Sequence, residues 1–324
     1  MRQLFVVLLS LCIGLPVSLP AVALTFQTRL ENVQWTVAGD QFECRLSQTI
    51  SDFGVGEFVR RAGEQATFRV SSGEVWHGAG AATLLAAAAP WQPGRGDINL
   101  GSVPATAGGA LHSTQAQAGR LLSGLIQGRG PLLRQRTQHG GEALEVRVLP
   151  AKFKPAYQDY LACTAKLLPV NFEQIKQAQL GFPNGTDVDS LAQAKLDIIL
   201  QFLKADPSVN RINLDGHSDN SGNRLSNRDL SRRRALAVME YLKANGVPKT
   251  QITIRFHGER YPLVPNKSEA NRAKNRRVTL HLERETVPET PPQAPPAEPA
   301  KTDSAAMSRL SAPVAWPIEF VAWS

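Results

Sequence analysis

Cysteine is scarce in this chain: 324 residues hold three, Cys12, Cys44 and Cys163. A thiolate-built metal site is therefore not expected, and His217 and His257, which both end predicted strands, lack the further ligand that zinc requires. Calcium fares no better. The segment Asp219-Asn220-Ser221-Gly222-Asn223 opens like a calcium loop, but Leu230 stands at the twelfth position, where a bidentate carboxylate is needed. Aromatic residues make up only 6% of the chain, and no stacking platform accompanies the basic residues Arg272, Lys274, Arg276 and Arg277, which argues against a nucleic-acid partner. No acidic residue occurs from position 2 to 19, so that stretch cannot be a membrane helix with an ion-carrying carboxylate. Paired carboxylates or an activated nucleophile are also missing around the polar loop. Ser218 between His217 and Asp219 is not a triad, because neighbours on an extended segment point to different sides. Neither an enzyme, a cofactor nor a metal is called for, and there is no internal repeat.

What the chain does have is length for two cores, 42% hydrophobic residues, and a formal net charge of +8 that favours anionic partners. Arg2, the apolar run Leu4 to Leu19 and Ala21-Val22-Ala23 form the three parts of a secretory signal peptide over residues 1–23. The run is short for a bilayer and carries Pro16, so no membrane-spanning segment is expected in the mature chain. A lipidated Cys12 is disfavoured by Leu11, which stands where a small residue is wanted. Export leaves Cys44 and Cys163 in an oxidising compartment, and one disulfide between them is the natural inference. The alternative is a pair of buried free thiols.

Residues 24–169 read as a β-rich domain, with alternation at Trp35/Val37, Phe42/Cys44/Leu46, Phe68/Val70 and Leu144/Val146/Val148. Two helices are expected in it, Thr114 to Ile126 and Phe153 to Leu168. Residues 170–285 read as a second domain of order β-α-β-α-β-β. It begins with a strand from Ile175 to Phe182, followed by a helix near Val188 to Lys204 whose inward stripe is Leu191, Ala194, Ile198, Phe202 and Leu203. A strand from Arg211 to Asp215, a polar loop and a long helix follow, then Ile252/Ile254/Phe256 and Val278/Leu280/Leu282. The fold class is α+β, a β-rich domain followed by an α/β sandwich with helices on one face of a sheet. Residues 286–324 form a Pro-rich tail that is expected to be disordered.

The long helix from Asn227 to Leu242 is the most informative segment. At about 100° per residue, Leu230, Ala235, Val238, Tyr241 and Leu242 share one arc, and Asn227, Ser231 and Arg234 project into it. A guanidinium at a buried edge is costly unless it is paired and hydrogen-bonded. Either a carboxylate of the protein meets Arg234 or a ligand's does, and Asp219 is the candidate within the chain. A ligand with both an ammonium, held by Asp219, and a carboxylate, held by Arg234, fits this juxtaposition. Arg232 and Arg233 lie outside the arc and read as an ordinary solvated face.

Four linked motifs, Gly216-His217-Ser218-Asp219, Asn227-x-x-Leu230-Ser231-x-x-Arg234-Ala235-x-x-Val238, Gly258-Glu259 and Asn275-Arg276-Arg277-Val278, resemble the OmpA-like peptidoglycan-binding family in order and spacing. The resemblance covers about Asn171 to Arg284 and implies that Asp219 and Arg234 clasp the diaminopimelate of a stem peptide. Asn227 and Arg277 would be lesser contacts, with Leu230 and Ser231 belonging to the same motif. Ser226 and Phe256-His257 depart from the family's usual residues without removing a group the clasp needs. In the first domain, Asp52-Phe53-Gly54, Phe42-Glu43-Cys44-Arg45-Leu46, Phe58-Val59-Arg60-Arg61-Ala62, Trp91-Gln92-Pro93-Gly94 and Tyr160-Leu161-Ala162-Cys163 resemble the MotY-type components of the polar flagellar motor. That resemblance implies a periplasmic, basal-body-associated ring that assembles with a MotX-like protein and supports stator units. The function expected is thus a non-catalytic periplasmic anchor. The main alternative is an outer-membrane-associated general wall tether without a motor role.

Overall fold

The computed structural model describes residues 24–72, 81–92, 94–104, 110–136, 143–183 and 185–284. The expected signal peptide, the Pro-rich tail, Pro93 and Asn184 lie outside the described residues.

In the first half, β1 (Leu24–Phe26), β2 (Trp35–Gly39), β3 (Glu43–Ile50), β4 (Gly54–Arg61), β5 (Thr67–Ser72), β6 (Ala81–Ala88), β7 (Ile98–Pro104) and β8 (Leu111–His112) precede α1 (Gln115–Ile126). Then come β9 (Arg129–Arg136), β10 (Ala143–Arg147) and α2 (Phe153–Thr164). They form two five-stranded sheets, ordered β1-β10-β9-β6-β7 and β2-β3-β4-β5-β8. Alternation dictates the pairing: in β3, Cys44, Leu46, Gln48 and Ile50 point inward and the residues between them are more exposed. One core gathers Leu46, Phe58 and Phe68 from one sheet, Leu84, Leu133 and Val146 from the other, and Leu121, Leu125, Phe153 and Tyr160 from the helices. Helix α1 starts where the sequence places it, because Thr114 and Gln117 form a capping box that satisfies two otherwise orphaned amides. Helix α2 is shorter than expected, ending at Thr164; Leu167 lies beyond its end and packs on the core from outside the helix. Cys163, in the last turn of α2, bonds Cys44 of β3, so the closing helix is stapled to an early strand.

The second half runs α3 (Phe172–Ile175), β11 (Gln177–Gly181), α4 (Ser190–Ala205), β12 (Val209–His217), α5 (Arg224–Ala244), β13 (Ile252–Gly258), α6 (Glu269–Asn275) and β14 (Arg277–Arg284). The sheet order is β11-β14-β12-β13, with β12 and β13 parallel and β14 slotted antiparallel between β11 and β12. Leu180, Ile212, Leu214, Val278 and Leu280 meet Leu196, Ile199 and Leu200 of α4 and Val238 and Leu242 of α5 in a second core. Both long helices therefore cover the same face.

Local expectations for this half also differ from the structure, and the order β-α-β-α-β-β has no place for α6 before the last strand. Phe172–Ile175 is a helical turn capped by Asn171, so the first strand starts later, at Gln177. In α4 the inward face is Ala192, Leu196, Ile199, Leu200 and Phe202, whereas Leu191 and Ile198 are exposed. Apolar residues occupy two adjacent arcs of this helix, and periodicity alone does not say which one meets the sheet.

The halves are bolted together within one compact unit. The Leu168 amide donates to Gln41 O at 2.9 Å, Asn171 Nδ2 donates to Ala62 O at 3.1 Å and to Glu64 Oε1 at 2.8 Å, and Gln174 Nε2 donates to Gly63 O at 3.1 Å. Phe42 packs edge-on against Phe202, and Ala62 and Leu168 are buried with the second core. Gly63 has φ +70 and approaches Gln174 so closely that an added Cβ would lie 2.2 Å from its Oε1.

Candidate functional site

Strand β12 carries the chain to the foot of α5, where Gly216 lets helix and strand touch: a Cβ there would lie 2.1 Å from the Ser231 carbonyl oxygen. Ser231, fully buried, accepts the Gly258 amide at 3.1 Å through its hydroxyl and donates to Arg228 O, tying α5 to the end of β13. Asn223 caps α5 by accepting the Ser226 amide at 2.9 Å. Asn227 is buried and donates to Gly222 O and to the Glu259 carboxylate, so it braces the polar loop against the β13 end. Leu230 is half-buried beside it.

Asp219 and Arg234, the two residues that the sequence singles out, are 6% and 1% exposed. Arg234 Nε donates to Gly185 O at 2.9 Å and Nη1 to His217 O at 3.3 Å. Its Cζ lies 5.8 Å from the Phe182 ring centroid. No carboxylate among the described residues lies within 4.0 Å of the guanidinium. Burial pushes the Arg234 pKa down to about 10, the nearby Asp219 charge working against that fall and Arg276 adding to it. The group stays charged at neutral pH.

Asp219 is held by a different arginine. Its Oδ2 accepts Arg276 Nη1 at 2.8 Å, and its Oδ1 accepts the Ser221 amide at 3.1 Å. Burial opposes the carboxylate's charge, but Arg276 and the Ser221 hydrogen bonds outweigh it and hold Asp219 below the ordinary carboxylate range. Arg276 is shared, with Nη2 donating to Glu269 Oε1 at 2.7 Å. The sequence assigns Arg276 no role at the site, although it stands inside the motif Asn275-Arg276-Arg277-Val278. The available signal was its adjacency to Arg277: two consecutive arginines entering a strand must diverge, so each serves a different neighbourhood. Arg277, 8% exposed, donates from Nη2 to Tyr261 O at 3.3 Å, while its Nε and Nη1 are buried without a partner, as is Arg276 Nε. Burial lowers the Arg277 pKa. Asn275 is fully buried and accepts the Leu263 and Val264 amides, which shapes the loop before α6.

The two histidines do lie close. Their rings stack at 5.0 Å, and His257 Nε2 is 2.8 Å from Asp215 Oδ1. His217 Nδ1 is buried without a partner. No cluster of three or more metal-ligating side chains occurs among the described residues. Around Asp219 the spot gathers three guanidiniums, Arg234, Arg276 and Arg277, and the Nε of Arg276 and the Nε and Nη1 of Arg277 are buried without a partner.

Comparison with known proteins agrees with both halves of this architecture. The MotY N-terminal domain family matches residues 26–169, and the OmpA family matches residues 182–276. The chain joins a MotY N-terminal domain to an OmpA-family domain. Across both, it is 25% identical over 263 residues to the sodium-type flagellar protein MotY of Vibrio parahaemolyticus, covering 78% of this chain and 88% of that one. Its OmpA domain is 37% identical over 97 residues to the peptidoglycan-associated lipoprotein of Pseudomonas putida, 30% of this chain and 57% of that one. Among solved structures, the C-terminal domain of Helicobacter pylori MotB matches with a TM-score of 0.31 at 28% identity, over 33% of this chain and 84% of that chain. The Cys44–Cys163 bridge lies wholly inside the MotY N-terminal domain, and Asp219, Asn227, Leu230, Ser231, Arg234 and Arg276 lie inside the OmpA match, with Arg277 one residue past its end.

Proposed function

We propose that this chain is a non-catalytic periplasmic anchor whose OmpA domain holds peptidoglycan through Asp219 and Arg234 while its MotY N-terminal domain binds the flagellar basal body. The observation that carries the reading is the Arg234 guanidinium, buried, charged and facing no carboxylate within 4.0 Å among the described residues. The carboxylate of a dipolar stem residue such as diaminopimelate would complete its bonds, and Asp219 would take the ammonium. Asn227 and Ser231 hold the two elements in register, Leu230 flanks them, and Arg277 supplies further donors.

A stator pushes on a rotor only if something fixed absorbs the opposing force, and the wall is that fixed point. The hydrogen-bonded seam from Gln41 to Gln174 supports such a role, since it lets load pass between the halves without a slack linker. Assembly with a MotX-like protein, and retention of stator units, belong to the same proposal. Sedimentation with purified sacculi tests the clasp: the Asp219→Ala, Arg234→Ala double variant should remain in the supernatant, and its sedimenting like wild type would refute the assignment. A clearing zone in a wall zymogram would overturn the non-catalytic reading.

The similarity to a peptidoglycan-associated lipoprotein favours one alternative, a general wall tether. Localisation of the tagged chain in flagellated cells separates the two. Foci that vanish without the basal body favour the motor role, and uniform envelope staining favours the tether.

A further inference from the structure

Between the first turns of α5 and the end of β13 lies a groove of about 630 Å³, lined among others by Arg224, Arg228, Phe256, His257, Glu259 and Arg260. Three arginines stand in it against one carboxylate. None of the three forms an ion pair within 4.0 Å among the described residues, although exposed arginines elsewhere in this domain, Arg233 and Arg284, do. Arg228 lies over the Phe256 ring at 5.1 Å, which keeps its guanidinium plane on the groove wall. Glu259 is occupied by the Asn227 amide.

Two contacts link the groove wall to the clasp. Asn227 bonds both Glu259 and the loop at Gly222, and the His257 ring stacks on His217, whose carbonyl holds Arg234. Gly258 turns the backbone in this wall, with φ +62 and the Arg228 backbone 3.3 Å from where a Cβ would stand. We infer that the groove is a second anion subsite of the same wall ligand: a free carboxylate on the stem, flanking the dipolar residue, sits among Arg224, Arg228 and Arg260. This inference rests on the proposed wall-binding reading. A concave cleft of this size beside the clasp fits a branch of a peptide ligand better than a flat membrane surface. Guanidinium suits a carboxylate because its fork donates two parallel N–H groups.

The test is titration of the full mature chain with two soluble muropeptides, one with free stem carboxylates and one with the flanking carboxylate amidated. Arg224→Gln with Arg228→Gln changes only exposed side chains and should leave the fold intact. Wild type should prefer the free acid by about fivefold, the worth of exposed charge pairs in one cluster. The double variant should bind both forms with the weaker affinity. Equal affinity of wild type for the two forms, or a variant that keeps the preference, would overturn the subsite while leaving the clasp standing. Loss of binding to anionic-lipid vesicles alone would reassign the groove to a membrane surface. If wild type and Asp219→Asn bind neither muropeptide differently, the wall-binding reading itself fails.

Discussion

The stacked histidine at the site makes a stability prediction with a definite sign. His217 is 6% exposed, and burial first, then the charges of Arg277 and His257, push its pKa down to about 4, with Asp215 opposing. In the unfolded chain the same ring titrates near about 6.5. Between those values the native state binds fewer protons than the unfolded state, so this group's contribution is fully present above about pH 6.5 and is lost as pH falls toward about 4. A gap of about 2.5 pKa units corresponds to about 3 kcal/mol when the loss is complete, and to about 2 kcal/mol between pH 7 and pH 5. The perturbation is His217→Asn, which removes the titrating group, and the assay is urea unfolding at the two pH values. Wild type should lose about 2 kcal/mol more than the variant over that interval. An imidazole titration by NMR checks the same quantity directly, and Arg277→Met should raise the His217 pKa by removing a like charge. Parallel losses in wild type and variant, or a ring titrating near about 6.5, would refute the reasoning.

Other outcomes follow from the same geometry. Because Asp219 is held below the ordinary carboxylate range, its charge should persist as pH falls toward about 4, and sacculus binding lost already near pH 6 would contradict the clasp. Gly216→Ala should cost about 2 kcal/mol or more and abolish wall binding, since its Cβ would lie 2.1 Å from a backbone oxygen; a stable, binding variant would show that strand and helix are not so close. Leu196→Ala should destabilise by about 2–5 kcal/mol and Leu191→Ala by less than about 0.5, and the reverse order in urea melts would restore the other arc of α4 as its buried face. Replacing both Cys44 and Cys163 by Ser opens a loop with a sequence separation of 119 and should lower stability by about 2–5 kcal/mol. An unchanged urea midpoint would show that the staple contributes nothing.

Much of the second half is legible in the sequence. The α5 arc follows from one-dimensional spacing: Asn227, Ser231 and Arg234 are buried alongside Ala235, Val238 and Leu242, while Leu230 and Tyr241 of the same arc are half-buried. The same logic placed β3, β5 and β12 and the start of α1, where Thr114 and Gln117 act locally. The sequence leaves Cys44 and Cys163 as either a disulfide or two buried thiols, and the structure shows the bond.

Sequence by itself therefore determined the features set by near neighbours along the chain: period, caps, turns, and the presence of a buried cation with an acid close by in a loop. Tertiary structure decided three things that depend on how distant segments meet. Arg276 reaches Asp219 across 57 residues because β14 inserts beside β12, a register that no local pattern encodes. The inward arc of α4 was chosen by the sheet it covers, since two apolar arcs competed for that face. The seam between the halves arose from backbone groups of Gln41, Ala62 and Gly63, whose partners are fixed by the approach of surfaces and carry no side-chain signature. Hydrogen-bond and ion-pair partners are short-ranged in space but unrestricted along the chain, and so the fold had to bring them together before they could be named.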